Sequence, residues 1–181
     1  MLERLWAGWR AEYVSHPDTG RDDAGCVMCS LVHAPDDEEA LVLERTPLTI
    51  TVMNLYPYGS GHLMVAPVRH AASFVDLDDD ETLAMARAQV RALRAIGAAY
   101  APDGMNVGAN LGRAAGAGVP GHLHVHVLPR WSGDTNFMTA VGEVRVLPEA
   151  LTVGYAKLRA AWPPGVTATV RRPPAPAVSV G

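Results

Sequence analysis

The stretch Gly121-His122-Leu123-His124-Val125-His126-Val127-Leu128-Pro129-Arg130 decides the fold. Successive side chains of a strand point to opposite faces. In one extended run, His122, His124 and His126 therefore share one face, while Leu123, Val125 and Val127 enter a core on the other. Neighbouring same-face residues are only about 7 Å apart, so the imidazoles can act in one site as metal ligands, nucleophile or proton donor. A strand wholly devoted to metal, as in three-histidine zinc enzymes, has the same spacing.

Working outward, the Gly/Ala-rich segment 112–121 joins this strand to a preceding one, Gly104 to Leu111. Before that, Asp78 to Tyr100 opens with four acidic residues, as a helix N-terminus favours. Leu83, Ala86, Val90, Leu93 and Gly97 fall roughly on one side of it. Three β-like runs come earlier, Ala40 to Arg45, Leu48 to Asn54 and His62 to Pro67, with a turn at 55–61. Pro148 to Trp162 reads as a last, short helix. Residues 1 to 13 suit a short amphipathic helix through Leu2, Leu5, Trp6, Trp9 and Tyr13, and 16–39 reads as loop. The strand-strand-strand-helix-strand-strand order with short connections predicts an α+β domain on an antiparallel sheet, with one long helix and a short C-terminal helix. The expected division is 1–39 for the N-terminal helix and metal-clip loop, 40–165 for the catalytic domain, and 166–181 for a disordered Pro-rich tail.

The chain's two cysteines, Cys26 and Cys29, are spaced C-x-x-C. In a reducing compartment such a pair is more often a metal clip or redox pair than a structural disulfide. Zinc prefers four N/S ligands; His70 and His122 are the candidates to complete the set, and a closed Cys₂His₂ site would be structural and leave His124 for chemistry. A redox role is disfavoured because the pair lies in a segment read as loop, without a thioredoxin-type strand and helix. The loop before the triad has no Gly-Lys-Ser/Thr ending, yet its small residues, Gly116, Ala117 and Gly118 among them, let backbone N–H groups approach an anion. Asn54 and Asn110 fall at strand ends, where they can hydrogen-bond a ribose or phosphate or serve as turn residues.

Composition bounds the rest. With 181 residues, 49% hydrophobic and 19% charged, the chain is expected to fold as one domain with at most a modest appendage, which excludes wholesale disorder, collagen and coiled coil. A formal charge of -4 gives no whole-surface basic field for nucleic acid. No apolar run reaches about 18 residues and the N-terminus lacks a signal-peptide core, so a cytoplasmic protein without membrane association is expected.

The run His122-Leu-His124-Val-His126-Val-Leu resembles the signature of the histidine triad (HIT) family of nucleotide hydrolases and transferases, three histidines alternating with apolar residues. The likeness extends over about residues 40 to 140 through Asn54, Gly61-His62-Leu63-Met64-Val65-Ala66-Pro67, Arg69-His70 and Ala115-Gly116. Pro129-Arg130-Trp131-Ser132-Gly133-Asp134 and Leu5-Trp6 make it most similar to the bacterial diadenosine tetraphosphate phosphorylase-like branch. The resemblance implies that His124 is the nucleophile that forms a nucleotidyl-histidine, that His126 positions the phosphate or leaving group, and that Asn54, His62 and Asn110 lie at the substrate. It further implies a structural zinc on Cys26, Cys29, His70 and His122, a nucleotide substrate and a homodimer. Where many relatives have Ala-Gly-Gln, this chain has Ala115-Gly116-Ala117-Gly118 in a loop one residue longer, which turns phosphate contact over to backbone N–H groups. Cleavage of dinucleoside polyphosphates, by water or by phosphate, is the expected activity. A nucleoside phosphoramidate hydrolase and a zinc-stabilised nucleotide-binding module without turnover are the alternatives.

Overall fold

In the computed structural model, residues 25–134 and 149–164 are described; the helix expected over 1 to 13 and the tail 166–181 lie outside them. The described elements, in chain order, are α1 (Val27–His33), β1 (Val42–Arg45), β2 (Thr49–Met53), β3 (Leu63–Pro67), α2 (Asp79–Tyr100), β4 (Gly104–Gly108), β5 (Val125–Arg130) and α3 (Leu151–Ala161). The strands form one antiparallel sheet in the order β1-β2-β3-β5-β4. This is the α+β architecture expected.

Strand alternation sends side chains to two cores. Leu43, Leu63, Val65, Leu123, Val125 and Val127 pack with Met85, Ala88, Ala92, Ala95 and Ile96 of α2 and with Tyr155 and Leu158 of α3. On the opposite face, Val42, Ile50, Val52 and Ala66 meet Met28, Cys29 and Val32 of α1. The histidines belong to this second face, because His126 pairs with Met64 of β3, which packs there.

Several expectations change. Segment 16–39 is not all loop: α1 starts right at the Cys pair, with Cys26 as its N-cap. Seven residues make too short a helix to be stable alone, and it exists by burying Met28, Cys29 and Val32 against the sheet. The long helix starts as predicted, Asp78 capping it in a reciprocal box with Glu81. Its buried side is nevertheless Met85, Ala88, Ala92, Ala95 and Ile96, whereas Leu83 and Val90 are 48% and 44% exposed. Alanines let the helix lie close on the sheet, so a reading weighted towards large side chains selects the wrong stripe.

The triad strand is also shorter than expected. β5 begins at Val125; His122, in a bend, and His124 precede it outside the ladder. The β3 register runs Val65↔Val125 and would set Pro67 opposite Leu123, but proline has no N–H to donate. The Leu123 N–H turns instead to the Ala71 carbonyl at 2.6 Å.

One glycine is required by the fold. Gly61 has φ +72°, and a Cβ there would come within 2.8 Å of the Tyr100 ring. It ends the loop from β2 and delivers His62 to the start of β3.

Candidate active site and metal cluster

The Cys26 and Cys29 thiols and the His70 and His122 rings converge, their ligand atoms all within 4.8 Å of one another. Cys26 Sγ lies 3.3 Å from His122 Nδ1, Cys29 Sγ 3.3 Å from His70 Nδ1 and 3.5 Å from His122 Nδ1. Tetrahedral zinc, with bonds of about 2.0–2.3 Å, separates its ligands by about 3.5 Å. The His122 tautomer fits as well: its Nε2–H donates to the Pro67 carbonyl at 2.9 Å, which leaves the Nδ1 lone pair aimed at the sulfurs. The four residues suit a four-coordinate metal ion.

Two guanidinium groups frame this cluster. Arg45 donates to Asp37 and to the Val32 and Ala34 carbonyls, tying the C-terminal end of α1 to β1. Arg69, beside His70, forks onto the buried Glu81 carboxylate at 2.8 and 2.6 Å and holds its pKa below the usual carboxylate range. Both ends of the ligand set are thereby fastened to the body of the domain.

The remaining histidines form a second group. His62 and His126 have ring centroids 5.0 Å apart, and so do His126 and His124. All three rings are at most 9% exposed. Hydrogen bonds set each tautomer. His124 Nδ1–H donates to the His122 carbonyl at 2.8 Å, so Nε2 carries the lone pair. Burial pushes the His124 pKa below the ordinary histidine value and so favours the neutral ring, while the bond to the His122 carbonyl acts in the opposite direction.

His126 is oriented by a relay. The Tyr58 backbone N–H donates to His62 Nδ1 at 3.0 Å, so the His62 proton sits on Nε2, and this donates to His126 Nδ1 at 2.9 Å. His126 must then carry its own proton on Nε2. A buried imidazole with its lone pair presented, beside a second imidazole with a proton presented, is an arrangement that can serve nucleophilic attack and proton donation.

The other expected residues are distributed around this pair. His62, expected at the substrate, is fully buried and hydrogen-bonded to His126, a place suited to orienting that ring. Asn54 takes the Tyr56 N–H on Oδ1 at 3.0 Å and lies 3.4 Å from His62 Nδ1, so it shapes the loop and backs the relay. Asn110 reaches the Gly116 carbonyl at 3.4 Å. Within the small-residue loop, the Gly116 N–H bonds the Arg113 carbonyl and the Ala117 N–H bonds that of Gly112. Of the three donors expected to cradle phosphate, these two are turned inward. Sequence reasoning missed Tyr58, whose part is played by its main chain and by its ring contacts, for which no local signal exists.

Comparison with known proteins agrees with this geometry. The family profile described as HIT domain matches residues 36–133. An AP-4-A phosphorylase of Mycobacterium tuberculosis is 40% identical over 165 residues, spanning 89% of this chain and 85% of the relative. An adenosine 5'-monophosphoramidase of Schizosaccharomyces pombe is 30% identical over 58% of this chain and 74% of its own. Among solved structures, a Zn-bound histidine triad family protein from Mycobacterium smegmatis superposes with TM-score 0.62 at 28% identity, covering 77% of this chain and 94% of that one. The chain belongs to the HIT family and is an enzyme of its nucleotidyl hydrolase and transferase kind.

Proposed function

We propose that this enzyme cleaves dinucleoside polyphosphates of the diadenosine tetraphosphate type by phosphorolysis, through a nucleotidyl-His124 intermediate. The observation that carries the chemistry is the pair of opposed tautomers, His124 with its Nε2 lone pair and His126 with its Nε2 proton. The choice of substrate is supported by the 40% identity to the mycobacterial AP-4-A phosphorylase.

His124 Nε2 attacks the α-phosphorus. The N–P bond forms, the bond to the bridging oxygen breaks, and that oxygen takes the His126 Nε2 proton as ATP departs. Inorganic phosphate then attacks the phosphorus in line, the N–P bond breaks, and its proton returns to His126, giving ADP. Positioning and charge stabilisation supply most of the rate. We further assign zinc to Cys26, Cys29, His70 and His122, on the strength of the donor set and the Zn-bound relative. When bound, it clamps α1 to the triad segment and leaves the chemistry to the imidazoles. Neither thiol of this cluster is in a disulfide, which suits a cytoplasmic protein. Among the described residues no helix is long and apolar enough to cross a membrane.

A homodimer completes the reading. β4 is an edge strand with a largely exposed surface, Val107 at 46%, and an unpaired edge invites a second strand. The exposed Leu83 and Val90 stripe runs along α2 towards Gly97, which abuts Met105 of β4. A two-fold pairing of β4 would cover both surfaces. Val107→Lys is expected to shift the molar mass measured by light scattering from dimer to monomer. A wild-type monomer, or a variant that stays dimeric, counts against pairing through this edge.

The acceptor is tested by chromatography of the products of diadenosine tetraphosphate with and without millimolar labelled phosphate. Phosphate is expected to accelerate consumption and to appear in ADP, with ATP as co-product. AMP plus ATP without label under both conditions indicates a hydrolase. Turnover of adenosine phosphoramidate alone indicates the phosphoramidase alternative.

A further inference from the structure

We propose that the Tyr58 ring is the seat of the second nucleobase, the one that departs with ATP; this rests on the dinucleotide reading above. The loop between β2 and β3, Asn54 to Gly61, contains no charged residue and exposes three large hydrophobic side chains. Leu55 is 59% exposed, Tyr56 69% and Tyr58 41%. The Tyr58 ring is backed by the site, with centroids 4.6 Å from His62 and 5.5 Å from His126.

A ring backed on one side and accessible on the other is a stacking platform for a flat, neutral group, not a phosphate subsite. It is also preorganised. The Tyr56 N–H bond to Asn54 Oδ1 and the Tyr58 N–H bond to His62 Nδ1, both 3.0 Å, hold the loop in place, so little ordering cost remains for binding.

Its position identifies the occupant. The His126 ring adjoins both, 5.5 Å from Tyr58 and 5.0 Å from His124, so the acid that protonates the leaving oxygen lies against Tyr58 as well as against the nucleophile. The departing chain must pass His126, and the second nucleoside lies three phosphates beyond the attacked phosphorus. It therefore falls on the Tyr58 side of the triad and not over His124. Every base has a π face, so stacking here selects for a second base without choosing strongly among them.

The test is calorimetric binding in the full-length His124→Ala variant, which does not depend on turnover or on the acceptor. The ligands are diadenosine tetraphosphate and adenosine 5'-tetraphosphate, which share the phosphate chain and differ by one nucleoside. Diadenosine tetraphosphate is expected to bind about ten- to a hundredfold more tightly. Adding Tyr58→Ala should remove that preference, and Tyr58→Phe, which keeps the ring, should retain it. Equal affinity for the two ligands, or a preference that survives Tyr58→Ala, overturns the assignment while leaving the functional reading intact. Failure of both ligands to bind overturns the functional reading together with it.

Discussion

His124→Ala is expected to lower turnover of diadenosine tetraphosphate by on the order of 10⁴ or more, while nucleotide affinity changes by no more than a few-fold. The reason lies in the tautomers. His124 presents the neutral Nε2 lone pair in a buried site, and neither neighbour replaces it, since the His126 lone pair is used by His62 and the His122 lone pair faces the cysteines. His126→Ala should be milder, costing about 10²–10⁴, because it removes a proton donor but not the covalent step. The check is single-turnover kinetics beside equilibrium titration, with phosphorus NMR of quenched wild-type enzyme to look for the nucleotidyl-histidine. A His124→Ala enzyme with unchanged turnover would refute the assigned nucleophile.

Loss of the metal cluster has the second largest expected effect, and it falls on stability. Protein purified without chelator is expected to hold one zinc per chain by elemental analysis. Cys26→Ala, or strong chelation, should lower the melting temperature by roughly 10 °C or more. The four donors tie α1 to two separate places, His70 beyond β3 and His122 before β5. Without the ion, two buried thiols, the buried His122 imidazole and the half-buried His70 imidazole lose their common partner. The chemical rate constant of protein that remains folded should fall far less than in His124→Ala, because a closed four-ligand site has no open position for water. Chelation that stops chemistry without lowering the melting temperature would instead point to a catalytic metal on the triad.

Several parts of the molecule were legible from local pattern because their causes are local. The alternation from Leu123 to Val127 placed apolar residues in the α2 core, the Asp78 to Glu81 box started α2, and the spacing of Cys26 and Cys29 marked half of a cluster that suits a metal ion. Other features depend on partners distant in sequence. Helix α1 is too short to form by propensity and is stabilised by the sheet beneath it. The buried face of α2 is chosen by how closely alanines let it approach the strands, which the spacing of large residues does not reveal. Whether β5 reaches back to His122 is decided by Pro67 on another strand, whose carbonyl receives the His122 ring instead of a ladder bond.

The sequence by itself determined which residue types do the work: an alternating histidine triad, a Cys pair with two candidate histidine partners, and an antiparallel α+β frame to carry them. Only the tertiary structure decided how the histidines are oriented, because which nitrogen of an imidazole holds its proton is set by hydrogen-bond partners far away along the chain. His122 is turned to the cysteines by Pro67, 55 residues earlier. His126 is left with its proton on Nε2 by His62, 64 residues earlier, which is itself set by the main chain of Tyr58. Periodicity places a ring on a face, but a proton is placed by the groups the fold brings against that ring.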